Sequence, residues 1–220
     1  MSEEAAAMDR DAFLARHGAG WLQAWTDIGA QAPVGLLDQL CTRYAEPQRG
    51  YHTLQHLDEC LHLLAAHRGL AERPAEVALA LWFHDAVYDV HAGDNEARSA
   101  DWARDALITA GAPAGTAGRV HALVMATCHG QPGAQVPQDP DTRLLLDVDL
   151  AILGAPPARY AEYERQIRAE YAHVPPEVFE PRRRQLMAGF LARQPLYLTA
   201  GIRAEREPQA RRNLAAAVAG

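Results

Sequence analysis

The sequence predicts an all-α domain. Ala, Leu, Arg and Glu dominate its 220 residues, apolar positions recur at helical rather than alternating spacing, and Gly and Pro punctuate segments of helical length. A chain this long buries a sizeable core by itself, so residues 1–220 read as one domain. With 49% hydrophobic and 22% charged residues and only three cysteines, disordered, collagenous and disulfide-scaffold classes are excluded.

In chain order, helices are expected over 9–28 and 34–44, and then over 53–67, where Leu54, Leu57, Leu61 and Leu64 form a core stripe. Pro74 opens the next at its first position, and that helix is expected to run over 74–90. Two more follow over 94–111 and 114–128, before a polar stretch, Gln131 to Asp141, that reads as a surface loop. The segment 142–153 is ended by Gly154-Ala155-Pro156-Pro157. Helices over 157–172, 176–193 (opened by Pro175-Pro176) and 204–218 complete the chain.

Three segments break local rules. His52 and His56 sit one turn apart, about 40° around the helix, so both imidazoles face a rim of the core. Val77 to Phe83 is apolar all round and then carries His84 and Asp85 at what reads as its inner end. Leu144 to Leu153 is apolar but for Asp147 and Asp149. A buried carboxylate needs an arginine or a metal beside it, and violations of this kind mark function. The run Arg182-Arg183-Arg184 offers anion-binding guanidinium forks, or a solvated face. Trp21, Trp25, Trp82 and Trp102 read as core aromatics.

Taken together, His56, His84-Asp85 and Asp149 resemble the H…HD…D signature of HD-superfamily metal-dependent phosphohydrolases, all-α enzymes with a divalent cation in the middle of a helical bundle. Tyr51-His52-x-x-x-His56 is similar to the YHNxxH motif of cyclic-nucleotide phosphodiesterases. Trp82-Phe83-His84-Asp85-x-Val87-Tyr88-Asp89, Asp94-Asn95-Glu96-x-x-Ser99-Ala100 and Asp149-Leu150-Ala151-Ile152-Leu153-Gly154 resemble a narrower bacterial group of HD phosphohydrolases. That likeness continues through Glu170-Tyr171-Ala172-x-Val174-Pro175 and Ala210-Arg211-x-Asn213-Leu214, covering most of the chain from about residue 45.

The resemblance implies His56, His84, Asp85 and Asp149 as metal ligands, with Asp149, the second acid of Asp-x-Asp-x-Leu, preferred to Asp147. It implies one divalent cation; two imidazoles among the ligands suit Mn, Fe or Zn better than Mg. A second cation fits less well, because His121 and His129, the histidines available for it, stand close together and Tyr88 replaces a Glu or His found in other members. His52 is then the acid for the leaving group, and Asp89 orients the attacking water or is a solvated turn acid. Glu96, Ser99, His129, Asp147 and Arg182 are candidates for substrate contacts or support of the ligands. The expected activity is hydrolysis of a phosphate ester of a small metabolite, a nucleotide first among them. The alternatives are a diiron oxygenase on the same fold and a non-catalytic nucleotide-binding regulatory module.

The net charge of −7 argues against nucleic-acid polymers as partners. All 21 basic residues are arginines, and they concentrate in the C-terminal half, where a local anion site fits; a homo-oligomer is compatible with the sequence. No apolar stretch is long enough for a membrane span, and the acidic start Met1-Ser2-Glu3-Glu4 lacks the pattern of an export signal. A cytoplasmic protein is expected, with Cys41, Cys60 and Cys128 as reduced core residues.

Overall fold

A computed structural model describes residues 8–128 and 136–219. Among these residues it contains ten α-helices and no strand: α1 (Arg10–Asp27), α2 (Leu36–Tyr44), α3 (Leu54–His67), α4 (Pro74–Phe83), α5 (Asn95–Thr109), α6 (Ala114–Ala126), α7 (Pro140–Asp149), α8 (Pro157–Glu170), α9 (Pro176–Ala192) and α10 (Ala200–Ala219). Short 3-10 turns cover Arg68–Leu70 and Leu150–Gly154. Local chemistry sets several starts. Asp9, Thr53 and Asp139 each accept a hydrogen bond from a first-turn amide of α1, α3 and α7, and α4, α7, α8 and α9 begin with proline. No described helix is long and apolar enough to cross a membrane.

The middle of the bundle is α4, which packs against α1, α3, α5, α6 and α7. Its apolar surface on every side dictates this position: Val77, Leu79, Leu81 and Phe83 are fully buried. Trp82 meets Trp21 and Phe13 of α1 edge-on, with ring centroids 5.0 and 5.5 Å apart. The one acid on the inner surface of α4, Glu76, is matched by Arg119 of α6 through two hydrogen bonds of 2.6 and 2.7 Å, so burial leaves no uncompensated charge. Trp21, Trp25 and Trp82 are core residues and Trp102 is packed against them half-buried.

One expected boundary is corrected where it bears on function. Helical periodicity extends through residue 90, but α4 stops at Phe83, so His84 and Asp85 lie in the turn that follows it. Tertiary partners replace the helical ones there. The fully buried Arg49 side chain donates to the carbonyls of Asp85 (2.7 Å) and Ala86 (3.2 Å), and also to that of His52 (3.0 Å). The Asp85 amide donates to Tyr44 Oη and the Val87 amide to Ser99 Oγ. Two further bounds move: the apolar segment expected over 142–153 becomes α7 plus the 3-10 turn, with Asp149 as the last α7 residue, and the final helix starts at Ala200.

Candidate metal centre

Three segments converge on one point. α3 brings His56, the turn after α4 brings His84 and Asp85, and the end of α7 brings Asp149. His56 Nε2 and His84 Nε2 are 3.1 Å apart. Asp85 Oδ2 lies 3.5 Å from the first and 3.0 Å from the second; Asp149 Oδ1 lies 3.3 and 3.5 Å from them. Two donors each about 2.1 Å from one cation stand roughly 3.0 Å apart at a right angle and 3.4 Å apart at the tetrahedral angle; three of the five separations fall in that range and the two of 3.5 Å lie just above it. Imidazole and carboxylate are also the donor chemistry of a borderline divalent cation, so these residues fit one.

The histidines are oriented to serve. His84 Nδ1 donates to the Leu81 carbonyl at 2.7 Å, which leaves the Nε2 lone pair facing the cluster. Burial disfavours charge on His84, yet Asp85 and Asp149 outweigh it and raise its pKa well above the usual value. The same contacts, with burial opposing them, hold Asp85 below the carboxylate range. Cys60, one turn after His56, brings its Sγ within 3.7 Å of His56 Nδ1, and His56, Cys60, His84 and Asp149 together form a group with one ligand atom each within 4.8 Å of the others. Burial pushes the Cys60 thiol well up. Read from sequence as a core residue, it therefore adjoins the ligands.

Beside the cluster stands His52. Its Nδ1 lies 2.8 Å from Oε2 of Glu170, the last residue of α8. The other oxygen of Glu170 accepts from the amides of Gly50 (2.9 Å), Tyr51 (2.8 Å) and His52 (3.0 Å), and Tyr88 Oη donates to Oε2 at 2.8 Å. A Cβ on Gly50 would come within 2.5 Å of the Gln166 carbonyl, so glycine there is what lets α8 approach this closely. Burial opposes the charge on Glu170, but His52 and the amide and hydroxyl donors outweigh it and bring its pKa down to about 2. Burial also disfavours the His52 cation, while Asp85 and Glu170 hold the His52 pKa above the ordinary histidine value. Tyr88 stacks on the His52 ring, 4.1 Å between centroids.

The remaining sequence candidates lie elsewhere or in supporting positions. Asp147 is buried and faces away from the cluster to the start of α10, where it accepts from the amides of Leu198 and Thr199 and from the Thr199 hydroxyl. Ser99 is buried as the anchor of the turn at Val87. Asp89 is exposed, and its carboxylate accepts from the His91 amide. Glu96 is half-buried in the first turn of α5. Arg182 sits exposed on α9, whereas its neighbour Arg183 turns inward to pair with Glu164 and cover the Tyr163 ring. His121 on α6 meets Asp101 at 3.3 Å, and His129 lies outside the described residues.

The sequence marks no role for Arg49, and Glu170 stands in it only as the first residue of the Glu170-Tyr171-Ala172 motif, although its spacing carries a signal. The buried residues of α8 are Tyr160, Tyr163, Ile167 and Glu170, at helical spacing, so an acid occupies the apolar stripe. No family model, no curated protein and no solved structure matches this chain.

Proposed function

We propose that this chain is a metal-dependent phosphohydrolase of the HD type, cleaving a phosphate ester of a small metabolite. The observation that carries the reading is the cluster of His56, His84, Asp85 and Asp149 at cation-binding separations, beside an imidazole held by a buried carboxylate. A divalent cation bound there supplies Lewis acidity, polarising a phosphoryl oxygen and making water a nucleophile near neutral pH. The protein's own residues do the rest. A water oxygen bonds to phosphorus as the ester P–O bond breaks; protonated His52 passes its Nε2 proton to the departing oxygen, the water releases a proton to solvent, and His52 regains one from solvent for the next turnover. Glu170 fixes the ring through Nδ1 and stabilises its charged form, and Tyr88 covers one ring face. Mn, Fe or Zn suits the two imidazoles better than Mg, and the cytoplasm is the compartment that the sequence favours.

The test is a hydrolysis screen over nucleotides and sugar phosphates, with Mn²⁺, Fe²⁺, Zn²⁺ and Mg²⁺ each supplied to metal-stripped protein. Release of phosphate or of a phosphomonoester that depends on the added metal is the expected result. Metal bound at one equivalent with no hydrolysis of any ester would overturn the reading.

A further inference from the structure

A cavity of about 210 Å³ opens beside the metal centre, between α3, the Leu150–Gly154 turn and α10. Its wall includes His56 and Asp149 of the cluster, apolar Leu63 and Ile152, and two polar groups that the chain itself leaves unused. One is Tyr51. Its ring is packed against His56 and Tyr163, 4.6 Å between centroids in each case, and its buried hydroxyl has no hydrogen-bond partner in the protein. Buried hydroxyls without a partner are uncommon.

The other is Arg206 of α10. Arg159, also on the wall, is neutralised by a two-pronged pair with Glu59 at 2.6 and 3.2 Å. The Arg206 side chain makes no hydrogen bond or ion pair with any described residue. Gly154 sets its position: a Cβ there would come within 2.7 Å of the Arg206 carbonyl, so glycine allows α10 to lie against the cavity wall.

We propose that this cavity is the specificity pocket of the enzyme, and that the substrate is a compact phosphate ester carrying a second anionic group, carboxylate or phosphate, bound by Arg206. The proposal rests on the phosphohydrolase reading. A guanidinium without a carboxylate partner binds oxyanions through paired N–H donors. The volume is below the roughly 300–1,000 Å³ of pockets for drug-sized ligands, which favours a short carbon skeleton over a nucleoside.

The test compares esters of one skeleton in the metal-loaded full chain: glycerol 3-phosphate against 3-phosphoglycerate, fructose 6-phosphate against fructose 1,6-bisphosphate, and AMP as the nucleotide. The doubly anionic member of each pair should have the higher kcat/KM, by about tenfold. Arg206→Gln should remove that preference by raising KM for the doubly anionic esters more than for their neutral-tailed partners, and Arg206→Lys should restore part of it. The first pair reports on carboxylate and the second on phosphate. Equal kcat/KM within both pairs, a higher kcat/KM for AMP, or an Arg206→Gln loss of equal size on both members would overturn the pocket and leave the hydrolase reading standing. If no ester is cleaved, the hydrolase reading fails, and fructose 1,6-bisphosphate should still raise the melting temperature of the metal-loaded wild type and not that of Arg206→Gln. Absence of that difference would overturn the pocket as well.

Discussion

Asp147 and Asp149 differ by two positions on α7, and that offset turns their carboxylates to opposite tasks. Asp149 Oδ1 faces both histidine nitrogens, whereas Asp147 terminates the amides at the start of α10. Asp149→Asn should therefore keep the fold and lose the metal. Asp147→Ala should keep the metal at one equivalent and lose about 1–3 kcal/mol of stability, because buried amide donors are left without an acceptor. Elemental analysis and thermal melts of the two proteins separate these outcomes, and metal loss from a folded Asp147→Ala protein would reverse the assignment. His52 gives a second expectation at this scale. His52→Ala should bind metal and lose roughly 10²- to 10⁴-fold in kcat on natural esters. The loss should be much smaller on a nitrophenyl phosphate, whose leaving group departs without a proton. Equal losses on the two substrates would make His52 a positioning residue only.

Among the elements, α8 reaches the site through a single side chain, and the turn before α3 depends on it. Glu170 ties three successive amides, His52 and Tyr88. Its pKa, lowered from 4.5 to about 2, makes this tie pH-dependent. A carboxylate whose folded-state pKa lies below its unfolded one contributes stability that is complete above the unfolded value and disappears as pH falls through the folded one. The window is accordingly pH 4.5 to 2, and the shift corresponds to about 3 kcal/mol. Melting temperatures measured across this range should fall steeply for wild type and less steeply for Glu170→Gln, which starts from a lower plateau. Parallel curves for the two proteins would show that the acid sensitivity originates elsewhere. Arg49 does for the turn after α4 what Glu170 does for the turn before α3: its guanidinium binds carbonyls from both, so His52 and Asp85 are braced by one buried cation.

For the whole molecule, a cation held by the cluster would act as a cross-link. His56, the His84-Asp85 turn and Asp149 are distant in sequence and meet only in the folded chain, so a cation that binds them binds the native state alone. At a free concentration about 1,000 times Kd, such a ligand adds roughly 4 kcal/mol to stability. Removing the metal with a chelator should lower the melting temperature by several degrees, and readdition of Mn²⁺ or Zn²⁺ should restore it. A melt that does not move after elemental analysis has verified metal removal would argue against a central site.

Several helices were legible because they obey local rules: a capping Asp or Thr at α1, α3 and α7, proline at the first position of α4, α7, α8 and α9, and an apolar stripe or, for α4, apolar residues all round. His52, His56, His84, Asp85, Asp147 and Asp149 were legible for the opposite reason, as His or Asp residues in or next to apolar runs, where isolated charge is costly, and the resemblance to HD phosphohydrolases selects four of them as ligand candidates. What the sequence could not supply is direction. What Asp147 binds, where α4 stops, and which acid holds His52 depend on partners 36 to 118 residues away, such as Arg49 for Asp85 and Glu170 for His52. Local periodicity carries no term for such contacts. Only the packed chain decides them, since a buried donor or acceptor takes the partner that tertiary structure places within reach.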